Sequence, residues 1–142
     1  MLQFYFLSVA ANLLAGATLS SDWITERFSS LRAIVHALSA RRARMVIGLT
    51  SILAGLGTMF VPVAKPLIIG DLFPSVVGLG VGIALLFEAL RQEVFYAGGE
   101  AAETPTRDEN AWQAPRAYRT ALAAFAFAAA VLHFFLPERM FL

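Results

Sequence analysis

The amino-acid sequence predicts an all-α integral membrane protein, built as a single domain of four antiparallel transmembrane helices plus one amphipathic interfacial helix on the cytoplasmic side. Three observations carry that prediction. Hydrophobic residues fill 58% of the 142 positions and mean hydropathy is +0.69, an apolar content above the roughly 45–50% of soluble domains. Charged residues fall almost wholly outside four apolar runs, at about 2–20, 45–63, 74–94 and 117–136, each long enough for a helix rising ~1.5 Å per residue to cross ~30 Å of hydrocarbon. Between the first two runs, the stretch at about 22–40 mixes polar and apolar residues at helical spacing.

The first run carries no charged side chain up to Ser20 and opens on Phe4, Tyr5 and Phe6, aromatic residues suited to a headgroup interface. It lacks the basic segment of a cleaved signal peptide, so it is expected to stay as a span, although Ala15-Gly16-Ala17 has small-residue character. Ser8, Asn12, Gly16 and Ser20 recur every four residues, which places a small, polar stripe on one helix face toward protein. Asn12 is expected to be an interhelical hydrogen-bonding group, because an unpaired amide in hydrocarbon is costly.

In the stretch at about 22–40, Ile24, Phe28, Leu31, Val35 and Leu38 alternate at spacings of four and three, with Asp22 placed to cap and Trp23 at the start. Such a helix lies in the interface plane, with Arg41, Arg42 and Arg44 as headgroup contacts. Docking of the same stripe onto another subunit is the alternative. The second span contains Gly48, Ser51, Gly55, Gly57 and Thr58, and ends at Pro62, Lys65 and Pro66. PVAKPLIIGDLFP then reads as a tight turn or shallow cap.

The third run, PSVVGLGVGIALLFEAL from Pro74 to Leu90, holds one charge, Glu88. Pro74 fits a first helical turn, where its missing N–H costs nothing. Gly78 and Gly82 are four apart and bare one face for close helix approach. A flexible cytoplasmic loop is expected at about 97–115, with Glu100, Glu103, Asp108 and Glu109 solvated because they lack the spacing of a calcium loop. The final span is rich in alanine and carries His133.

Orientation follows from the basic residues. Arg27, Arg32, Arg41, Arg42 and Arg44 precede the second span, and Arg91, Arg107, Arg116 and Arg119 precede the fourth, so nine of the eleven Lys and Arg lie in two loops. The positive-inside rule puts those loops in the cytoplasm and both termini outside. Compactness favours a bacterial inner membrane.

Few residues are placed to carry chemistry. Glu88 is the leading intramembrane candidate, with Asn12 and His133 behind it. Arg91 and Gln92, three and four residues beyond Glu88, offer it an intrahelical pair. With no cysteine there are no thiolate ligands or nucleophiles, and no hydrolase, zinc or phosphate-loop motif appears. No cofactor or metal is expected, and a net charge of +1 gives no general attraction to nucleic acid. The expected partners are the lipid bilayer and either another membrane protein subunit or a second copy. The expected function is an accessory or scaffold subunit whose small-residue faces (Gly16, Ser51, Gly55, Gly78, Gly82) pack against other helices. The alternatives are a homo-oligomeric transporter or channel using Glu88 and, remotely, an intramembrane enzyme assembling Ser51, His133 and Asp71.

The order of apolar span, GDLFP turn and glycine-containing span in Met45 to Leu90 resembles, over roughly a third of the chain, the small membrane subunit of tripartite tricarboxylate transporters. That resemblance implies four spans and an accessory role beside a larger permease. The amphipathic helix between spans one and two departs from the family's pattern.

Because the chain has no cysteine, single introduced cysteines report its topology. Lys65→Cys reacts with an impermeant maleimide in intact cells, and Ala101→Cys only in inverted vesicles. Labelling of both from one side overturns the antiparallel arrangement.

Overall fold

The computed structural model of the chain describes residues 2–60, 72–97 and 115–135. The described residues are 96% helix, with no strand among them. In chain order the helices are α1 Leu2–Leu19, α2 Ser21–Arg27, α3 Arg32–Ser39, α4 Arg41–Phe60, α5 Leu72–Ala97 and α6 Arg116–Phe135. Three stretches, Arg41–Phe60, Leu72–Gln92 and Arg116–Phe135, are long and apolar enough to cross a membrane, which is consistent with membrane localisation. The apolar stretch Phe6–Leu19 of α1 is shorter.

The helix bounds differ from the apolar runs in a way that matters for the site. α4 begins at Arg41, so Arg41, Arg42 and Arg44 sit in its first turn, and α6 likewise carries Arg116 and Arg119 in its own. Pro74 is the third residue of α5, still within the turn that needs no backbone donor. Of the expected turn PVAKPLIIGDLFP, residues 62–71 lie outside the described residues, as do 98–114 of the expected loop.

The expected single interfacial helix at about 22–40 is instead broken. α2 stops at Arg27, Phe28 leaves helical geometry at φ −129° and ψ 86°, and a short 3-10 turn, Ser29–Leu31, leads into α3. Tertiary contacts decide this: Asp22 and Glu26 of α2 reach Arg119 and Arg116 of α6, while α3 packs against α1 and α4. A straight helix could not serve both directions. Asp22 does not cap the helix either; Ser20 occupies that position without a side-chain cap bond. Along the expected stripe only Val35 is buried, and Leu38 packs partly on the core.

The four long helices form a lozenge. α4 packs on α5 and α1 on α6, while α1 and α5 touch across the short diagonal; α4 and α6 do not touch. Small residues make this closeness possible. A Cβ added at Gly82 meets the Gly48 carbonyl oxygen at 2.7 Å, one at Gly48 meets the Gly82 carbonyl at 2.9 Å, and one at Gly55 meets the Ser75 carbonyl at 2.8 Å. The α4 and α5 backbones thus run antiparallel in near contact. On the other diagonal side, Phe127 of α6 lies over Gly16 of α1, 3.2 Å from where a Cβ would stand.

Apart from a core of Leu19, Ile47, Val81 and Leu85, large apolar side chains mostly point outward and small or polar ones inward. Leu49, Leu53, Phe60, Ile83, Phe87 and Phe125 are exposed, whereas Ser8, Asn12, Thr18, Ser51, Thr58 and Ser75 are buried among alanines and glycines. A soluble domain rarely shows so much large apolar surface. The buried Thr58 hydroxyl is paired twice, with the Ala54 carbonyl of its own helix at 3.0 Å and with Ser75 Oγ of α5 at 2.7 Å.

Gly82→Ala is expected to destabilise the purified protein by about 1–3 kcal/mol, since its methyl forces two backbones apart. Gly80→Ala meets nothing within 4 Å and removes a helix-interior glycine worth about 0.5–1 kcal/mol, so it should raise stability. Thermal unfolding in detergent checks the pair; equal effects would show that the α4–α5 approach is not limiting.

Candidate functional site

The site forms at the end of the lozenge where α1 stops and α4 and α6 begin. Antiparallel register puts Arg44 of α4 one turn beyond Gly48, and Glu88 of α5 about one and a half turns beyond Gly82. The glycine contact therefore brings a guanidinium and a carboxylate to the same depth. Arg44 Nη1 lies 3.8 Å from Glu88 Oε2, and Arg119 Nε of α6 lies 3.2 Å from Glu88 Oε1. All three side chains are buried, with only 2–3% exposed.

Arg119 uses every face of its guanidinium. Nη1 donates to Asp22 Oδ2 at 2.9 Å, and Nη2 donates to Ser21 Oγ at 3.2 Å and to the Thr18 carbonyl at 3.5 Å. It thus ties the end of α1 and the start of α2 to α5 and α6, using the planar fork that lysine lacks. Two guanidinium groups face two carboxylates, so the cluster is formally neutral. An outer pair repeats the α2–α6 link: Arg116 Nη2 donates to both oxygens of Glu26, at 3.0 and 3.1 Å. That pair is open to solvent, so it contributes little, about 0–1 kcal/mol.

The sequence candidates scatter along the fold. Glu88 is buried, as expected, but its carboxylate turns to α4 and α6 and not to Arg91, which is exposed. Arg44, expected among the headgroup contacts, is 1% exposed and directed at Glu88; Arg42 is exposed and Arg41 half-buried. Desolvation of such a charge is expensive, so its place is set by the carboxylate. Asn12 is buried on α1, with Oδ1 3.6 Å from the point where a Gly78 Cβ would stand and without a hydrogen-bond partner among the described residues. The Ser51 carbonyl reaches the same point at 3.2 Å, so α1, α4 and α5 converge on Gly78.

His133 is buried near the far end of α6. Ser51 and His133 sit on helices that do not touch, and Asp71 lies outside the described residues. Among the described residues, no three His, Asp or Glu are grouped to hold a metal ion. Sequence reasoning missed Arg119, Asp22 and Ser21 as parts of one site. The available signal was depth: Arg44 and Arg119 are each the last charge before an uncharged run, and Glu88 lies near the C-terminal end of its own.

Removing one member of a buried ion group leaves its partners uncompensated, a loss of about 3–5 kcal/mol. Arg119→Gln and Glu88→Ala are expected to fall in that range and Glu26→Ala to stay below about 1 kcal/mol. Unfolding in detergent reads the contrast. An Arg119→Gln variant as stable as Glu26→Ala would remove the cluster from the account of the fold.

No curated protein and no solved structure matches the chain. A protein-family model of unknown function matches residues 1–133, a range that includes every residue of the charge cluster. The chain belongs to that family of unknown function.

Proposed function

We propose that the chain is a four-span membrane protein with both termini outside, seated in a bacterial inner membrane, and that it serves as an accessory or scaffold subunit packing against other membrane helices. One observation carries this reading: Glu88, the acid within a span, is committed to Arg44 on α4 and Arg119 on α6. A carboxylate so held serves cohesion between helices. α1, uncharged over its 18 residues and antiparallel to α6, supplies the fourth span.

The outward-facing surface fits the same role. Large apolar side chains of α4, α5 and α6 face away from the bundle, ready for lipid or partner helices. On the cytoplasmic side, the bent α2–α3 segment leaves Trp23, Phe28, Leu31 and Ile34 exposed beside Arg32 and Arg42, a composition that lies in an interface. Trp23 and Phe28 hold each other edge-on at 6.3 Å.

Purification of the tagged protein in mild detergent, with mass spectrometry of what travels with it, tests the role. The expected result is a stoichiometric larger membrane protein whose cellular level falls when this chain is deleted. A homogeneous homo-oligomer that moves protons or solute in proteoliposomes, and stops with Glu88→Gln, would replace the scaffold with a transporter.

A further inference from the structure

A groove of about 310 Å³ opens on the outer side of α5 and α6, lined by Gly80, Ile83, Ala84, Phe87, Arg91 and Tyr118, with Glu88 at its inner wall. Gly80 makes its floor, since a Cβ there would meet nothing within 4 Å. From Gly80 to Arg91 the groove follows α5 for eleven residues, about 16 Å at ~1.5 Å per residue. That is about half of a ~30 Å hydrocarbon core, the depth of one leaflet.

Polarity changes along this length in the same sense as a phospholipid. The Gly80 end is apolar, and the other end carries an exposed guanidinium, Arg91, and the half-exposed Tyr118 phenol. Arg91 makes no ion pair with any described residue. The Glu88 carboxylate beside it is already engaged by Arg44 and Arg119, so it does not neutralise Arg91. A guanidinium at headgroup level suits a phosphate, and a phenol suits the same interface.

We infer that this groove is a binding site for one anionic glycerophospholipid of the cytoplasmic leaflet. Its acyl chain lies over Gly80 and Ile83, and its phosphate meets Arg91 and Tyr118. The inference rests on membrane insertion in the orientation proposed above and is independent of the accessory role.

Carbonate extraction of membranes is the first step; release of the protein into the soluble fraction overturns insertion itself. For the retained protein, native mass spectrometry in detergent with dioleoyl-phosphatidylglycerol or dioleoyl-phosphatidylcholine follows bound lipid. The wild type should retain one phosphatidylglycerol in preference to phosphatidylcholine. Gly80→Leu, which has room for its side chain, should abolish that adduct. Arg91→Gln should weaken it about fivefold, the effect of one basic residue near an anionic surface. Arg32→Gln on α3, which touches neither α5 nor α6, gives the baseline for general charge loss. Equal retention of the two lipids by the wild type overturns the proposal, as does Arg91→Gln behaving like Arg32→Gln. If Gly80→Leu instead breaks a dimer without changing lipid retention, a second copy fills the groove.

Discussion

The Glu88 carboxylate sets the terms for the rest of the structure. An ionised carboxylate withdrawn from water without compensation is untenable by tens of kcal/mol in an idealised low-dielectric medium, roughly what a buried site would face. Two guanidinium groups from two other helices meet it here. They too must be compensated, and Asp22, Ser21 and the Thr18 carbonyl complete Arg119. Satisfying one charge therefore fixes the relative depth of α4, α5 and α6 and folds α2 back beneath α1. The break at Phe28 is a consequence of that demand.

Close backbone approach and polar ties act together between α4 and α5. Arg44–Glu88 closes one end of this helix pair and Thr58–Ser75 the other, with the Gly48–Gly82 and Gly55–Ser75 approaches between them. On α4 these ties are fourteen residues apart, about 20 Å at ~1.5 Å per residue. In the proposed membrane setting lipid gives no hydrophobic drive to bring helices together, so packing and hydrogen bonds must do it. A glycine seam alone tolerates sliding by a turn. Charged and hydroxyl ties at its two ends remove that freedom.

The long helices were legible because hydrocarbon length and charge exclusion act on local sequence. Uncharged runs located α4, α5 and α6 to within a few residues, and four-residue spacing marked Gly78 and Gly82 as one face. What local sequence does not encode is which helix stands opposite. Arg91, three residues from Glu88, looked like its natural partner, whereas Arg44 and Arg119 lie forty-four and thirty-one positions away. The arginines were read as headgroup residues because they precede the apolar runs; helix α4 starts with them and turns Arg44 inward. The amphipathic stripe was real as a period but not as a single rod, since ion pairs from Asp22 and Glu26 to α6, outside that stretch, decide where it bends.

The balance of charge also bears on what kind of activity the cluster favours. Two cations and two anions leave no net charge, and protonating Glu88 would leave Arg44 and Arg119 with one half-exposed carboxylate, Asp22, between solvent and the bundle. A proton carrier works best when loading and unloading leave the scaffold intact. Here loading would weaken the contact that three helices share, so a transport cycle through Glu88 would have to open the bundle at each turn. That cost agrees with the proposed scaffold role, in which this carboxylate stays in place. Variable interactions then belong on the outer faces, where large apolar side chains and the exposed Arg91 meet their surroundings.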